Sequence, residues 1–403
     1  MKKLLIISGV FPPEQVTSAL LNYDLAKELS KKYSVTVLRP YPTRPIGMKF
    51  EYDGLKDESF ETILIDSYTC PQSQLVGRFR ESIDFGRKCA AYIKKHHSEI
   101  SFIYNNPWQL FGVGIVARMA KKYHIPYAIA IQDIYPECLL TKGSKSGIVK
   151  KLVMGLLKPI DVYYQRNAAR IRTISDEMGD YLSQTRQVPR EKYLIVNNWQ
   201  NDEEFVGISN TQPDDNMRFV FVGSINVHAN VEIIIKAFAD AKIPNSELVL
   251  YGGGNQKDYC MEMVKQMRLD NVRFDLVRRD QIPQVQSQAS VLVLALPTGN
   301  GNLCLPSKMT SYMLSGKPIL ASVDYDSATT RYINEAQCGF VVEPDSIPSL
   351  VEGFKKFAAL PKAQLQDYGD NSLRFARHHL TREINLRKVC DAIDEVIKKN
   401  STK

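Results

Sequence analysis

Short apolar runs alternate with longer amphipathic segments along the whole chain. Such runs, bounded by turn-forming residues, are typical of strands buried on both faces, and the segments between them have the 3.6-residue period of helices. This alternation predicts α/β architecture with parallel sheets. Strands are predicted at 3–8, 34–39, 61–65, 101–104, 127–131, 171–174 and 193–196, and then at 218–222, 247–250, 272–275, 290–294, 318–321 and 339–342.

A polar stretch rich in turn formers, residues 201–216, separates two such series. We therefore predict a doubly wound, Rossmann-like domain at 1–200, a linker at 201–216 and a second such domain at 217–379. The last helix, about 380–403, is expected to pack back on the first domain. Each sheet offers a ligand crevice at the carboxyl ends of its strands, and we expect the two domains to face each other across a cleft.

The positive charge is concentrated in the first half of the chain. Lys and Arg number 52 against 44 Asp and Glu, a formal net charge of +8. Residues 1–200 hold 29 basic and 19 acidic side chains, a net +10, which leaves −2 for residues 201–403. The first half is thus expected to prefer an anionic surface, and composition leaves nucleic acid, acidic lipid and a phosphorylated substrate open.

Cysteine usage and hydropathy bear on the compartment. Seven cysteines are scattered without Cys-x-x-Cys spacing, as in reduced cytosolic proteins. No stretch approaches the ~18 consecutive apolar residues of a membrane-spanning helix. We therefore expect a cytoplasmic protein that meets a membrane, if at all, at its surface.

Two glycine-containing strand ends mark the second domain. Gly223-Ser224 follows the strand at 218–222, and Gly253 lies in a Tyr-Gly-Gly-Gly run after the strand at 247–250. Glycine lets the backbone approach a ligand closely, and free N–H groups at the next helix start attract phosphate. A plain strand-to-helix turn explains the first motif equally well.

The most specific motif follows the strand at 290–294. A polar Gly/Asn loop that includes Asn302 leads to Pro306, which is favoured at a helix start, and then to Ser307, Lys308 and Met309. The N–H groups of Ser307 and Met309 are expected to point outward, unsatisfied, beside the Lys308 ammonium. Together they predict a diphosphate site, with a solvated lysine at an ordinary helix end as the alternative.

Carboxylates also follow strands of the first domain. Asp133 and Glu137 lie just beyond the strand at 127–131, and Glu14 follows the first strand. At a crevice edge, Asp133 and Glu137 can bind sugar hydroxyls or stabilise oxocarbenium charge, and Glu14 can position an acceptor hydroxyl. The alternatives are a helix-capping role for Asp133, a surface position for Glu137 and an ordinary helix N-terminal position for Glu14.

Two further patterns concern metals and membranes. Asp324 and Asp326 have the Asp-x-Asp spacing of some metal sites, but no further ligands are apparent and we expect no metal. Residues 142–172 carry eight basic residues, one acid and a stripe of apolar side chains. A basic amphipathic helix of this kind is typical of membrane-surface elements, and equally of a core-facing helix with a solvated basic face.

These motifs resemble those of GT-B glycosyltransferases of family 4. The resemblance is carried by Val222-Gly-Ser, Tyr251-Gly-Gly-Gly, Pro306-Ser-Lys, Tyr312-Met and Gly316-Lys-Pro, together with Gly9-Val-Phe-Pro-Pro-Glu14 and Gln132-Asp-Ile-Tyr-Pro-Glu137. It covers nearly the whole chain in order. The block from Pro306 to Pro318 is similar to the branch that transfers N-acetylated amino sugars or deoxy sugars in bacterial surface-polysaccharide assembly.

The resemblance implies a retaining, metal-independent transferase that needs no cofactor and uses a nucleotide-diphosphate sugar, most often UDP-linked. It also implies a lipid-linked or oligosaccharide acceptor in capsule, O-antigen or exopolysaccharide synthesis, reached at the inner face of the cell membrane. Asp133, Glu137 and Lys308 are the implied catalytic residues, and Glu14 and Asp133 the implied acceptor contacts. The implied donor contacts are Gly223, Ser224, Gly253, Arg278, Asn302, Pro306, Ser307, Lys308, Met309 and Ser311.

The chain departs from the family pattern at the donor site. The two Glu residues of many family-4 enzymes fall on Leu303 and Ser311, and the usual Arg and Lys after the Gly-Ser turn are replaced by Asn226, Val227 and His228. Lys308 is therefore expected to supply the cation, with Ser311 or Tyr312 near the ribose.

Two other functional classes remain open. A nucleotide-sugar 2-epimerase has the same architecture but needs carboxylates and a histidine around the donor sugar. A non-enzymatic basic module would bind nucleic acid or membrane, although the chain has no nucleic-acid-binding motif. The donor sugar, the nucleotide base, the acceptor and the oligomeric state do not follow from the sequence.

Overall fold

The structure, a computed structural model, describes residues 3–14, 16–43, 59–70, 74–107, 110–139, 147–208, 216–299 and 305–401. The chain divides into two compact units. Unit 1 comprises Met1–Asn198 and Asn385–Lys403, and unit 2 comprises Trp199–Ile384.

Unit 1 is built on one parallel sheet. Its described strands are β1 (Lys3–Ser8), β2 (Ser34–Pro40), β3 (Glu61–Ile65), β4 (Ile100–Asn106), β5 (Tyr127–Ala130), β6 (Arg170–Thr173) and β7 (Tyr193–Ile195). The order across the sheet is β3-β2-β1-β4-β5-β6-β7. The connecting helices are α1 (Thr17–Ser30), α2 (Leu75–His96), α3 (Phe111–Lys122), α4 (Gly147–Asn167) and α5 (Asp176–Arg186).

Unit 2 repeats this arrangement. Its described strands are β8 (Met217–Val222), β9 (Ser246–Tyr251), β10 (Val272–Asp275), β11 (Val291–Ala295), β12 (Ile319–Ser322) and β13 (Gly339–Val342), in the order β10-β9-β8-β11-β12-β13. The helices are α6 (Val231–Ala241), α7 (Lys257–Gln266), α8 (Ile282–Ser287), α9 (Ser307–Leu314), α10 (Ala328–Ala336), α11 (Ile347–Ala358) and α12 (Lys362–His379). A last helix, α13 (Arg382–Ser401), lies mostly in unit 1.

The central strands are apolar because helices cover both faces of each sheet. Leu4–Ile7 of β1 and Val291–Ala295 of β11 are fully buried. In unit 2, Phe219, Phe238 and Phe354 pack edge to face, with ring centroids 4.8 to 5.9 Å apart. These contacts fix α6 and α11 against one face of the sheet.

Helix α13 completes unit 1 with an apolar stripe. Val389, Ile393 and Ile397 recur at helical spacing and are almost fully buried. At its edge, the Asp394 carboxylate accepts hydrogen bonds from Lys32 Nζ and Tyr33 Oη, both at 2.7 Å. The prediction that the last helix packs on the first domain therefore agrees with these contacts.

In each sheet the order of the strands reverses at one point, between β1 and β4 in unit 1 and between β8 and β11 in unit 2. The predicted doubly wound architecture and the predicted strands are confirmed. In unit 2, a 3₁₀ turn at Arg279–Gln281 precedes α8, and Pro283 occupies the first turn of α8. Ligands of such sheets bind beyond the carboxyl ends of the strands at the reversal point.

Candidate functional site

The turn after β8 lies at the reversal point of the unit 2 sheet. The Gly223 N–H donates to the Tyr251 carbonyl at 2.9 Å, and the Ile225 N–H donates to the Gly253 carbonyl at 2.8 Å. A Cβ on Gly252, whose φ is 143°, would lie 2.0 Å from the Gly223 oxygen. Glycine is required at 252 because the two loops run in direct backbone contact, whereas a Cβ on Gly253 would meet open space.

The predicted phosphate cation lies against this turn. Lys308 Nζ is 4.1 Å from the ring centroid of Phe221 and only 3.1 Å from where a Cβ of Gly223 would be. Burial lowers the pKa of the Lys308 amine from 10.5 to about 7, and no carboxylate of the described residues offsets this. The structure thus brings Gly223 and Lys308 together, as the diphosphate prediction requires.

Helix α9 is fixed at this position by a buried hydroxyl. Tyr312 Oη accepts from the Val222 N–H at 2.8 Å and lies 3.3 Å from the Val222 and Val293 carbonyl oxygens. Because Val222 ends β8 and Val293 belongs to β11, the tyrosine joins α9 to both strands at the reversal point. Its buried hydroxyl corrects the expectation that Tyr312 lies near a ribose.

The rest of the predicted α9 site has other partners. The Met309 N–H, expected to be free, donates to the Pro306 carbonyl at 2.9 Å because the first helical turn is tight. Ser311 Oγ donates to the Lys308 carbonyl at 2.9 Å and accepts from Gln286 Nε2 at 3.2 Å. Ser307 is exposed at the helix start. The donor contacts predicted for these residues stay predictions.

Asn226 follows the Gly-Ser turn, where the family pattern has Arg and Lys, and its side chain bonds within the turn. Asn226 Oδ1 accepts from the N–H groups of His228 and Ala229, and its Nδ2 donates to Ser224 Oγ at 3.0 Å. Asn226 thus organises the backbone, which leaves Lys308 as the cation that lies against this turn.

Two predicted donor residues do not join this group in the described structure. The Arg278 side chain is mostly exposed and pairs with Asp280 at 3.2 Å. Asn302 lies outside the described residues.

Two aspartates follow the last two strands of unit 2 and hold the loop after β11. The Gly299 N–H donates to both Asp324 oxygens, at 3.0 and 3.1 Å, and the Thr298 N–H donates to Asp345 Oδ2 at 2.8 Å. Asp324 of the Asp-x-Asp pair is therefore a loop anchor. Within the described ranges, no group of three or more His, Cys, Asp or Glu side chains could hold a metal ion.

The predicted acceptor residues of unit 1 occupy its carboxyl edge. Glu14 is 2% exposed, and its carboxylate accepts from the Phe11 N–H at 3.1 Å and the Thr43 N–H at 2.9 Å. It thereby joins the loops after β1 and β2. Asp133 is exposed after β5, beside Gln132, whose side chain accepts from Ser18 Oγ at 2.9 Å.

Glu137 lies in a buried ion network. Arg186, whose side chain is fully buried, donates to both Glu137 oxygens at 2.6 and 2.7 Å and to Asp161 Oδ2 at 2.6 Å. Burial opposes ionisation of Glu137, but the Arg186 guanidinium outweighs it and lowers the pKa of the carboxyl. Arg186 also donates to the Tyr135 carbonyl at 2.9 Å. The geometry makes Glu137 an anchor of this loop, and a sugar contact stays a prediction.

The segment predicted to lie on a membrane is described from residue 147 onward. Helix α4 exposes Leu152 and Leu156, one turn apart, at 62% and 64%. Lys151 is exposed beside them. Lys142 and Lys145 lie outside the described residues. No helix in the described residues is long and apolar enough to span a bilayer.

Sequence reasoning missed Asn230, Asp345 and Arg186. The position of Asp345 just after the predicted strand at 339–342 was a usable signal, since that is the crevice edge of the sheet. The partners of Asn230 and Arg186 are 115 and 49 residues away, and only the three-dimensional structure shows such pairs.

The chain is similar to known glycosyltransferases over part of its sequence and in its fold. Residues 202–373 match the family described as "Glycosyl transferases group 1". The "Putative colanic acid biosynthesis glycosyl transferase WcaI" of Escherichia coli (strain K12) is 22% identical over 273 residues, 63% of this chain and 66% of that protein. The "Probable glycosyltransferase WbjE" of Pseudomonas aeruginosa is 22% identical over 254 residues, 59% and 61% respectively. The matches span less than two thirds of either relative.

The fold is also that of a solved structure, Anabaena Alr3699/HepE in complex with UDP. The TM-score is 0.68 at 15% identity, and the match covers 98% of this chain and 100% of that one. The predicted GT-B fold and the resemblance to GT-B glycosyltransferases are confirmed.

Proposed function

Unit 2 carries a group 1 glycosyltransferase domain on a GT-B fold, and from this we propose that the protein transfers a sugar from a nucleotide-diphosphate sugar to a saccharide acceptor in polysaccharide biosynthesis. The observation that carries the proposal is the Lys308 amine lying against Gly223 at the reversal point of the sheet. A cation beside a backbone turn and a helix N-terminus is suited to a diphosphate.

The proposed donor is a UDP-linked sugar, in keeping with UDP bound to the Anabaena protein. The resemblance of the Pro306–Pro318 block favours an N-acetylated hexosamine or a deoxyhexosamine. The donor is expected to place its diphosphate between Gly223-Ser224 and the start of α9.

The proposed reaction retains the anomeric configuration. The acceptor hydroxyl attacks the anomeric carbon on the face from which the diphosphate departs, and a donor phosphate oxygen takes the hydroxyl proton. Lys308 and the α9 N-terminus stabilise the charge that develops on the leaving diphosphate. No metal or cofactor is needed in this scheme, because the lysine supplies the cation that Mg²⁺ supplies elsewhere.

The acceptor is proposed to bind at the carboxyl edge of unit 1, where Asp133 is exposed, with the loops held by Glu14. A lipid-linked saccharide at the cytoplasmic face of the membrane fits the +10 charge of residues 1–200 and the exposed leucines of α4.

The epimerase alternative needs free carboxylates near the donor sugar. Asp324 and Asp345 both accept hydrogen bonds from the backbone of the β11 loop, which favours transfer over epimerisation. If the protein were instead a nucleic-acid-binding module, it would bind RNA or DNA in a salt-sensitive way and would transfer no sugar.

The experiment is release of UDP from UDP-sugars, measured with and without a polyprenyl-diphosphate-linked saccharide, in buffer with and without EDTA. Transfer that requires the acceptor and survives EDTA supports the proposal. Interconversion of the donor alone indicates an epimerase, loss of turnover in EDTA contradicts the metal-free scheme, and no nucleotide binding at all contradicts the donor site.

A further inference from the structure

Asp345 joins three loops at the carboxyl edge of the unit 2 sheet. It follows β13, and its Oδ1 accepts from Asn230 Nδ2 at 2.7 Å while its Oδ2 accepts from the Thr298 N–H at 2.8 Å. Thr298 begins the loop after β11, and Asn230 ends the turn after β8. One side chain therefore connects the loops that follow β8, β11 and β13.

These hydrogen bonds favour the ionised form of the Asp345 carboxyl. Its partial burial opposes ionisation, but the hydrogen bonds from Thr298 and Asn230 prevail and lower the pKa of Asp345. Hydrogen bonds to a charged acceptor are about twice as strong as neutral ones. Both ends of the Asp345–Asn230 bond also have left-handed backbone, with φ of 55° and 47°, a conformation that Asn and Asp tolerate better than most residues.

The Asn230 end leads directly into the turn proposed to bind phosphate. Asn226 accepts from the Ala229 N–H, and the Asn226 side chain in turn contacts Ser224. The Asn226 side chain thus links Ser224 to Ala229, the residue before Asn230, so we expect a shift of Asn230 to affect Ser224.

The Thr298 end leads into the other donor loop. Asp324 holds the next N–H, that of Gly299, whose φ of 82° favours glycine. Two carboxylates therefore fix two consecutive N–H groups where the loop leaves β11. Asp345 also reaches the turn after β8, through Asn230.

We propose that Asp345 is a positioning residue that couples the turn after β8 to the loop after β11, so that both hold one fixed arrangement at the proposed donor site. This inference rests on the proposed function. Because both Asp345 oxygens bond to protein groups, we assign Asp345 a role through these loops.

The test compares Asp345→Ala, Asp345→Asn, Asn230→Ala and the double variant Asn230→Ala/Asp345→Ala. Asp240→Asn is the matched control, because it removes an exposed carboxylate from α6 of the same unit. The readouts are KM and kcat with the UDP-sugar, Kd for UDP alone, and the melting temperature. A purely local structural role would lower the melting temperature and leave KM for the donor unchanged.

Each single alanine variant is expected to raise KM for the UDP-sugar about fivefold to tenfold, as couplings through a shared network do. The Kd for UDP alone should rise as well, because the turn after β8 is proposed to bind the diphosphate that UDP shares with the donor. The double variant should be no worse than Asp345→Ala, because both changes break the same link. Asp345→Asn should resemble Asn230→Ala, since an amide still accepts from Thr298 but cannot also accept from Asn230 through its NH₂ group.

An unchanged KM in both alanine variants would overturn the coupling, and so would effects on KM that multiply in the double variant. In either case the proposed function stands as long as the wild-type protein transfers sugar. A wild-type protein that neither binds UDP nor transfers sugar would overturn both. Asn230→Ala removes the half-buried side chain at the other end of the same link, so it provides the comparison even if Asp345→Ala does not fold.

Discussion

Lys308, at the proposed donor site, lies in an environment far from that of a lysine in solution. Its amine lies against an aromatic ring and a glycine turn, and its pKa of about 7 leaves it partly neutral at physiological pH. A diphosphate stabilises the charged form of an amine, so donor binding has to draw a proton onto Lys308.

This coupling predicts the pH dependence of nucleotide binding. Above the free pKa of about 7, each binding event takes up one proton, so the affinity for UDP should fall by about tenfold per pH unit between pH 7.5 and 9. Calorimetry across that range measures it. Lys308→Met should bind UDP more weakly and with a flat profile, and a flat wild-type profile would contradict the prediction.

Arg186 predicts a large effect on stability. Removing a fully buried guanidinium leaves Glu137 and Asp161 as uncompensated buried carboxylates, so Arg186→Met should cost about 3–5 kcal/mol in the free energy of unfolding. Urea titration measures this. The exposed Arg190, paired with Asp176 and Asp180, is the control, and Arg190→Met should cost less than ~1 kcal/mol. Equal losses would argue against the buried network.

Among the secondary-structure elements, helix α9 is joined to the sheet by the Tyr312 hydroxyl. Tyr312→Phe leaves the buried Val222 N–H without its acceptor, which should cost about 1–3 kcal/mol. Tyr325→Phe, at a side chain 64% exposed, should change stability by less than ~0.5 kcal/mol. Urea unfolding of the two variants tests this, and a Tyr312→Phe protein as stable as wild type would show that α9 is held by packing alone.

Helix α4 makes a separate prediction about membranes. Leu152→Ser/Leu156→Ser removes two exposed leucines at little cost to the fold, and binding to vesicles of anionic lipid should weaken about tenfold. Val206→Ser, at a side chain 74% exposed in unit 2, is the control. Vesicle co-sedimentation measures both, and unchanged binding of the α4 variant would remove this helix from the proposal.

The elements were predictable because periodicity alone defines them. The run 218–222 could be assigned as a buried strand without any partner being known. The roles of side chains were less accessible: Glu137 has the position of a sugar ligand in sequence, but Arg186, 49 residues later, occupies both of its oxygens. Lys308 could be proposed from the sequence because its signals are local, a Gly/Asn loop followed by a proline-started helix. Asp345 was missed because its function depends on two distant loops.

For the whole molecule, donor binding should localise to unit 2. UDP at 100 times its Kd stabilises the unit that binds it by about 2.7 kcal/mol. Hydrogen exchange should therefore slow at 223–230, 251–256 and 306–312 when UDP is added. If UDP slows exchange in other segments and leaves these three unchanged, the nucleotide binds elsewhere.

The return of α13 to unit 1 determines the order in which the units can finish folding. The chain leaves unit 1 after Asn198 and comes back at Asn385, whose side chain accepts from the Asn197 N–H at 3.1 Å. A ribosome adding 5–20 residues per second needs roughly 10 to 40 s to make the segment between them. Unit 1, although begun first, therefore waits with its α13 face uncovered until unit 2 has been synthesised, and it is the unit that newly made chains expose longest to chaperones and proteases.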